Sequence, residues 1–98
     1  MHIIPSEQYA GREFPIDDLE VTSSCVDYWF DAEEVVSQTA NNALVPKGYS
    51  AIARDPGDDL ILLQNSTGHV FYCLHETGRL IQIADSLDDL LKAILLGD

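Results

Sequence analysis

The stretch Tyr49-Ser-Ala-Ile-Ala-Arg-Asp-Pro-Gly-Asp-Asp-Leu-Ile-Leu-Leu-Gln-Asn-Ser-Thr-Gly-His-Val-Phe-Tyr-Cys-Leu74 decides the fold. Asp55-Pro-Gly-Asp58 separates its first two apolar runs, residues 49–54 and 59–64; proline sets φ at one turn position and glycine frees it at the next, the chemistry of a tight reversal. Asn65-Ser-Thr-Gly68 supplies a second reversal before residues 69–74, and Glu76-Thr-Gly78 a third before residues 79–83. Four apolar runs divided by turn chemistry predict an antiparallel meander. Ser86-Leu-Asp-Asp89 is then a capping box with Asp in place of Glu, and Leu87, Leu90, Leu91, Ile94 and Leu95 follow at helical spacing. A helix with one oily face turned to the sheet is expected to close the chain.

Upstream the signals are shorter. Pro5, Gly11 and Pro15 break residues 1–18 into a loop with one brief strand. Val21, Cys25, Val26, Tyr28, Trp29 and Phe30 predict a strand over residues 19–30, with a bulge where the alternation slips at Ser23-Ser24. Asp31-Ala-Glu-Glu34 starts another helix, which Val35, Val36 and Thr39 continue and Asn41-Asn42 ends. Pro46-Lys-Gly48 turns the chain into the meander. The expected class is α+β, a twisted antiparallel sheet of about five strands with helices packed on one face. A length of 98 residues makes a single domain across residues 1–98.

Composition narrows the partners. Seventeen acidic against five basic residues leave a net charge of -12, which argues against direct nucleic-acid binding, because a polyanion is held by Lys and Arg that displace its counterions. Such acidity serves either solubility or attraction to a basic surface. Met1-His-Ile-Ile-Pro5 lacks the basic start and apolar run of a secretory signal, and no window is long enough to span a membrane. Cys25 and Cys73 are too few for a disulfide framework and read as free thiols, so a cytoplasmic protein without membrane association is expected. Asn65-Ser-Thr67 matches a glycosylation acceptor but is more simply a turn.

Several residues invite chemistry. His69, Phe71, Cys73 and His75 share one strand face by alternation, but two His and a Cys lack the fourth ligand of a structural zinc site, so no metal is expected. Asp55, Asp58 and Asp59 crowd one turn without the spacing or closing Glu of a calcium loop. No nucleophile elbow, phosphate loop or His-Glu-x-x-His helix is present, which leaves no catalytic residue to name and no cofactor to expect. An enzyme using the Cys/His face stays open only as a minority alternative.

Three segments carry a resemblance: Ile52-Ala-Arg-Asp-Pro-Gly-Asp58, Gly68-His-Val-Phe-Tyr72 with His75-Glu76, and Ile83-Ala-Asp-Ser-Leu-Asp-Asp-Leu-Leu91. In their order and spacing they resemble the SUKH superfamily, which holds bacterial immunity proteins and fungal regulators of cell-wall synthesis. The similarity covers the C-terminal half, with weaker support from residues 20–48. The longer N-terminal helical segment usual in the family, with its Leu-Pro and Asn-Gly elements, is not recognisable, so the chain resembles a short or divergent member. The resemblance implies a non-catalytic protein that neutralises a bacterial toxin, with a regulatory or scaffold module as the alternative. A toxin nuclease fits the charge, since a site built for phosphates is basic. The expected contact residues are Asp55, Asp58 and Asp59, joined by Glu76 if the third turn lies beside the first. Trp29, within Tyr28-Trp-Phe30, is a core residue by type and a contact residue if exposed.

Overall fold

Residues 9–96, which the computed structural model describes, form two sheets and two helices joined by turns and loops. β1 (Glu13–Pro15) and β2 (Ser23–Cys25) pair antiparallel as a small ribbon. The main antiparallel sheet runs in chain order: β3 (Tyr28–Trp29), β4 (Tyr49–Arg54), β5 (Leu60–Gln64), β6 (Val70–Cys73) and β7 (Leu80–Ala84). α1 (Ala32–Asn41) lies between β3 and β4 in the chain, and α2 (Leu87–Leu96) follows β7. The expected meander, both helices and the α+β class are therefore present. The reading of residues 1–8 lies outside the described residues.

The strand expected over residues 19–30 is two strands in two different sheets. Its break falls where the chain changes partner: Val26 O accepts the Gly11 N–H at 2.6 Å, while the Asp27 N–H donates to Arg54 O at 3.0 Å. Ser23 and Ser24 sit in regular register opposite Pro15 and Phe14, so no bulge occurs there. The bulges lie in β4, between Ala51 and Ala53, and where β7 meets β6 near Val70. The first turns both Ile52 and Ala53 onto the same face, and Thr39 Oγ1 accepts the Ala51 N–H beside it at 3.0 Å.

The helices were expected to share one face of the sheet; they cover opposite faces. Alternation along β5 and β6 sends Ile61, Val70 and Tyr72 to a cluster with Phe14, Val26, Leu90 and Ile94, which α2 and the ribbon cover. It sends Leu60, Leu62 and Cys73 to the other side, against Phe30, Val35 and Leu44. α1 needs only a light footing there. Asp31 and Glu34 close a reciprocal capping box at its start, Val35 is half-buried, and Val36 is 70% exposed.

Candidate functional site

The Asp55-Pro-Gly-Asp58 reversal folds around its own first carboxylate. Asp55 Oδ1 accepts the N–H groups of Gly57 and Asp59, both at 2.9 Å, and Asp58 N–H closes the turn on Asp55 O at 3.2 Å. The left-handed residue is Asp58, at φ 69°, rather than Gly57. Asp tolerates this region better than most side chains, because its short polar group can bond locally.

From this turn a hydrogen-bonded chain crosses the end of the sheet. Asp55 Oδ2 accepts from the Ser24 hydroxyl at 3.0 Å and from the Tyr72 hydroxyl, which also reaches Asp59 Oδ2 at 2.6 Å. Asp59 Oδ1 accepts the His75 backbone N–H at 2.9 Å and meets His75 Nδ1 at 2.5 Å. The phenol has one proton for two carboxylates, so the two compete for it and the Ser24 hydroxyl relieves Asp55. Burial, followed by hydrogen bonds to Asp55 and Asp59, pushes the Tyr72 hydroxyl far above its usual value and keeps it a donor. The chain ties the ribbon, the first turn, β6 and the third turn together.

A second tie lies beside it. Arg79 donates from both terminal nitrogens to the Asp18 carboxylate, one contact measuring 3.2 Å, and approaches Glu20 at 3.7 Å. The Arg79 hydrogen bond is the main reason the Asp18 carboxyl is held below its usual value. Glu20, Asp59, Leu74, His75, Glu76 and Thr77 enclose a shallow cleft of about 240 Å³. Its rim carries exposed carboxylates from Glu20 and Glu76, and Asp58 is exposed on the neighbouring turn.

The first and third turns thus do meet, through Asp59 and His75, and Glu76 joins the acidic end. Two expected contact residues have other positions. Asp55 is 6% exposed and both of its carboxylate oxygens are engaged within the fold. Trp29 is 7% exposed because its position in β3, opposite Ala53, points it into the α2-side core. Alternation instead exposes Tyr28, at 42%, with its hydroxyl donating to Glu34 at 2.7 Å and Arg54 5.6 Å from its ring centre. Nor do Cys73 of β6 and His75 converge. Cys73 is buried on the α1 side, while His75 lies past the strand end, held by Asp59. Among the described residues no three His, Cys, Asp or Glu side chains are grouped to hold a metal, and no helix is long and apolar enough to cross a membrane.

The His75–Asp59 pair makes this end respond to pH. Burial pushes the Asp59 carboxyl up, but bonds from the His75 backbone, the Tyr72 hydroxyl and the His75 ring outweigh it and hold the group below its usual value. The hydrogen bond from Asp59 is what chiefly raises His75, against desolvation, with Glu76 and Asp58 adding to it. A depressed carboxyl stabilises above its ordinary pKa, about 4, and loses that effect as pH falls through the lowered value. A raised imidazole stabilises fully below about 6.5 and loses the effect as pH rises through the raised value. The pair therefore contributes most between about pH 4 and 6.5. His75→Ala is expected to lower the melting temperature more at about pH 5.5 than at about pH 9, and equal losses would show that no charged ring is held there.

The family model described as SMI1 / KNR4 family (SUKH-1) matches residues 4–93. Among curated proteins and solved structures, none matches the chain.

Proposed function

The chain belongs to the SMI1 / KNR4 (SUKH-1) family, and on that premise we propose that it is a non-catalytic binding protein, an immunity protein that neutralises a basic toxin domain by covering it with the acidic end of its sheet. One observation supports this most: Glu20 and Glu76 stand exposed at a cleft, Asp58 is exposed on the neighbouring turn, and Asp59 and His75 in the cleft wall are fixed by the hydrogen-bonded chain that runs through Tyr72 to Asp55. The nearby cations cancel little of this charge, since Arg79 is held by Asp18 and reaches Glu20 only at 3.7 Å, and Arg54 lies 3.9 Å from Asp27. The inner carboxylates are engaged in holding turns, which favours a rigid charged surface over acid–base chemistry. A basic partner, a nuclease domain among them, meets complementary charge here, while nucleic acid meets repulsion.

The test is the association rate with the toxin domain encoded by the neighbouring gene. Replacing Asp58 with Asn and Glu76 with Gln is expected to slow association about tenfold at low salt, with little effect on dissociation or melting. Asn is well tolerated at the left-handed position of residue 58. Association that ignores both salt and the double substitution would place the contact elsewhere. A neighbouring gene without a toxin domain would favour the regulatory module.

A further inference from the structure

β7 ends the main sheet, and its outer edge has a readable hydrogen-bonding pattern. Leu74 N–H donates to Arg79 O at 3.0 Å, which puts these two at a hydrogen-bonded position of the ladder, with the Arg79 N–H turned to Thr77 Oγ1 where the third turn begins. Alternation along an antiparallel ladder makes Tyr72 and Ile81 the next such pair, in the observed register. The N–H and C=O groups of Leu80 and Gln82 therefore point away from β6, and among the described residues nothing bonds them. Beyond Gln82 the register shifts at the bulge, so the free edge is short.

An open groove runs beside this edge, lined by Gln82, Ile83, Ala84, Asp85 and Asp89. Gln82 Nε2 donates to Asp85 Oδ1 at 3.0 Å. Asp85, Asp88 and Asp89 are all exposed, Lys92 is the one basic residue of α2, and at the opposite end Arg79 is already paired with Asp18. Unpaired backbone groups call for a strand, and this charge selects a basic one. A second copy of the chain would bring a further net charge of -12.

We propose that the β7 edge accepts an extended basic segment of a partner protein as an added strand. The segment's backbone bonds the N–H and C=O groups of Leu80 and Gln82, and its Lys or Arg side chains lie against Asp85 and Asp89. This rests on the reading of the protein as a binder of basic partners, but it uses a surface distinct from Asp58 and Glu76, so the two fail separately.

Amide hydrogen exchange on the full chain tests it, with a synthetic peptide of alternating lysine and valine as the probe and a glutamate–valine peptide as the control. In the free protein the Leu80 and Gln82 amides are expected to exchange at least about 100-fold faster than that of Ile81. The basic peptide is expected to slow both by about tenfold or more, and the acidic peptide to leave them unchanged. Gln82→Pro removes an outward N–H while sparing the pairing to β6, and is expected to abolish the protection of Leu80. Asp85→Asn with Asp89→Asn, which leaves the backbone intact, is expected to weaken the peptide several-fold. Protection already present in dilute free protein, protection that grows with protein concentration, or peptide protection confined to the turns around Asp58 and Glu76 would each overturn the proposal, as would no protection at all.

Discussion

Ile94→Ala is expected to destabilise the protein by about 2–5 kcal/mol, the range for truncating a fully buried aliphatic side chain that leaves a cavity. Ile94 is 0% exposed and packs with Leu90 into the cluster that also holds Phe14, Val26 and Ile81, so the helix, the ribbon and the sheet all lose contacts at once. In a chain of 98 residues that loss corresponds to a fall in melting temperature on the order of 10–20 °C. Leu95, its neighbour, is 42% exposed, and Leu95→Ala is expected to change stability by less than about 0.5 kcal/mol. Thermal unfolding of the two variants side by side is decisive, because both remove the same kind of atoms from adjacent positions. Equal losses would mean that α2 docks by another face. A fall of the size expected for Ile94→Ala would consume a large part of the stability available to so small a domain.

The meander was legible because each of its joints carries turn residues and each of its strands is long enough to show a period. The ribbon and β3 were not, since strands of three and two residues show no period, and nothing local marks that the chain changes sheets at Val26. The two-sided covering of the sheet did leave a trace. Leu60-Ile-Leu-Leu63 is apolar at every position, the pattern of a strand buried on both faces, and it contradicts helices on one side only. At the site, Asp55, Asp58 and Asp59 were readable as a turn, but the burial of Asp55 was not. The available sign was Tyr72: alternation puts it with Val70 on the inward face, and a buried tyrosine hydroxyl requires a partner. The Arg79–Asp18 pair links positions too far apart in the chain for any local signal.

Asp55 is where that missed burial has its largest consequence. Asp55→Ala removes the acceptor of the Gly57 and Asp59 N–H groups and of the Ser24 and Tyr72 hydroxyls together, at a position shielded from water. The Tyr72 hydroxyl keeps Asp59 as an acceptor and Gly57 is exposed to water, so the donors left short are chiefly Asp59 N–H and the Ser24 hydroxyl; at about 1–3 kcal/mol for each, a loss of about 2 kcal/mol or more is expected. Asp55→Asn is expected to cost less. Its carbonyl oxygen can still serve the two backbone donors, and its amide can donate to the Tyr72 hydroxyl, which then donates to Asp59. The discriminating measurement is a double-mutant cycle of Asp55→Ala with Tyr72→Phe. Two groups bonded in one chain should show a coupling of about 0.5–3 kcal/mol, whereas additive losses would mean that the contact contributes nothing of its own. Hydrogen exchange then reads the consequence for the fold. Ser24 ties the ribbon to the turn only through this carboxylate and the Tyr72 hydroxyl, so in Asp55→Ala the amides of β1 and β2 are expected to lose protection before those of β5 and β6.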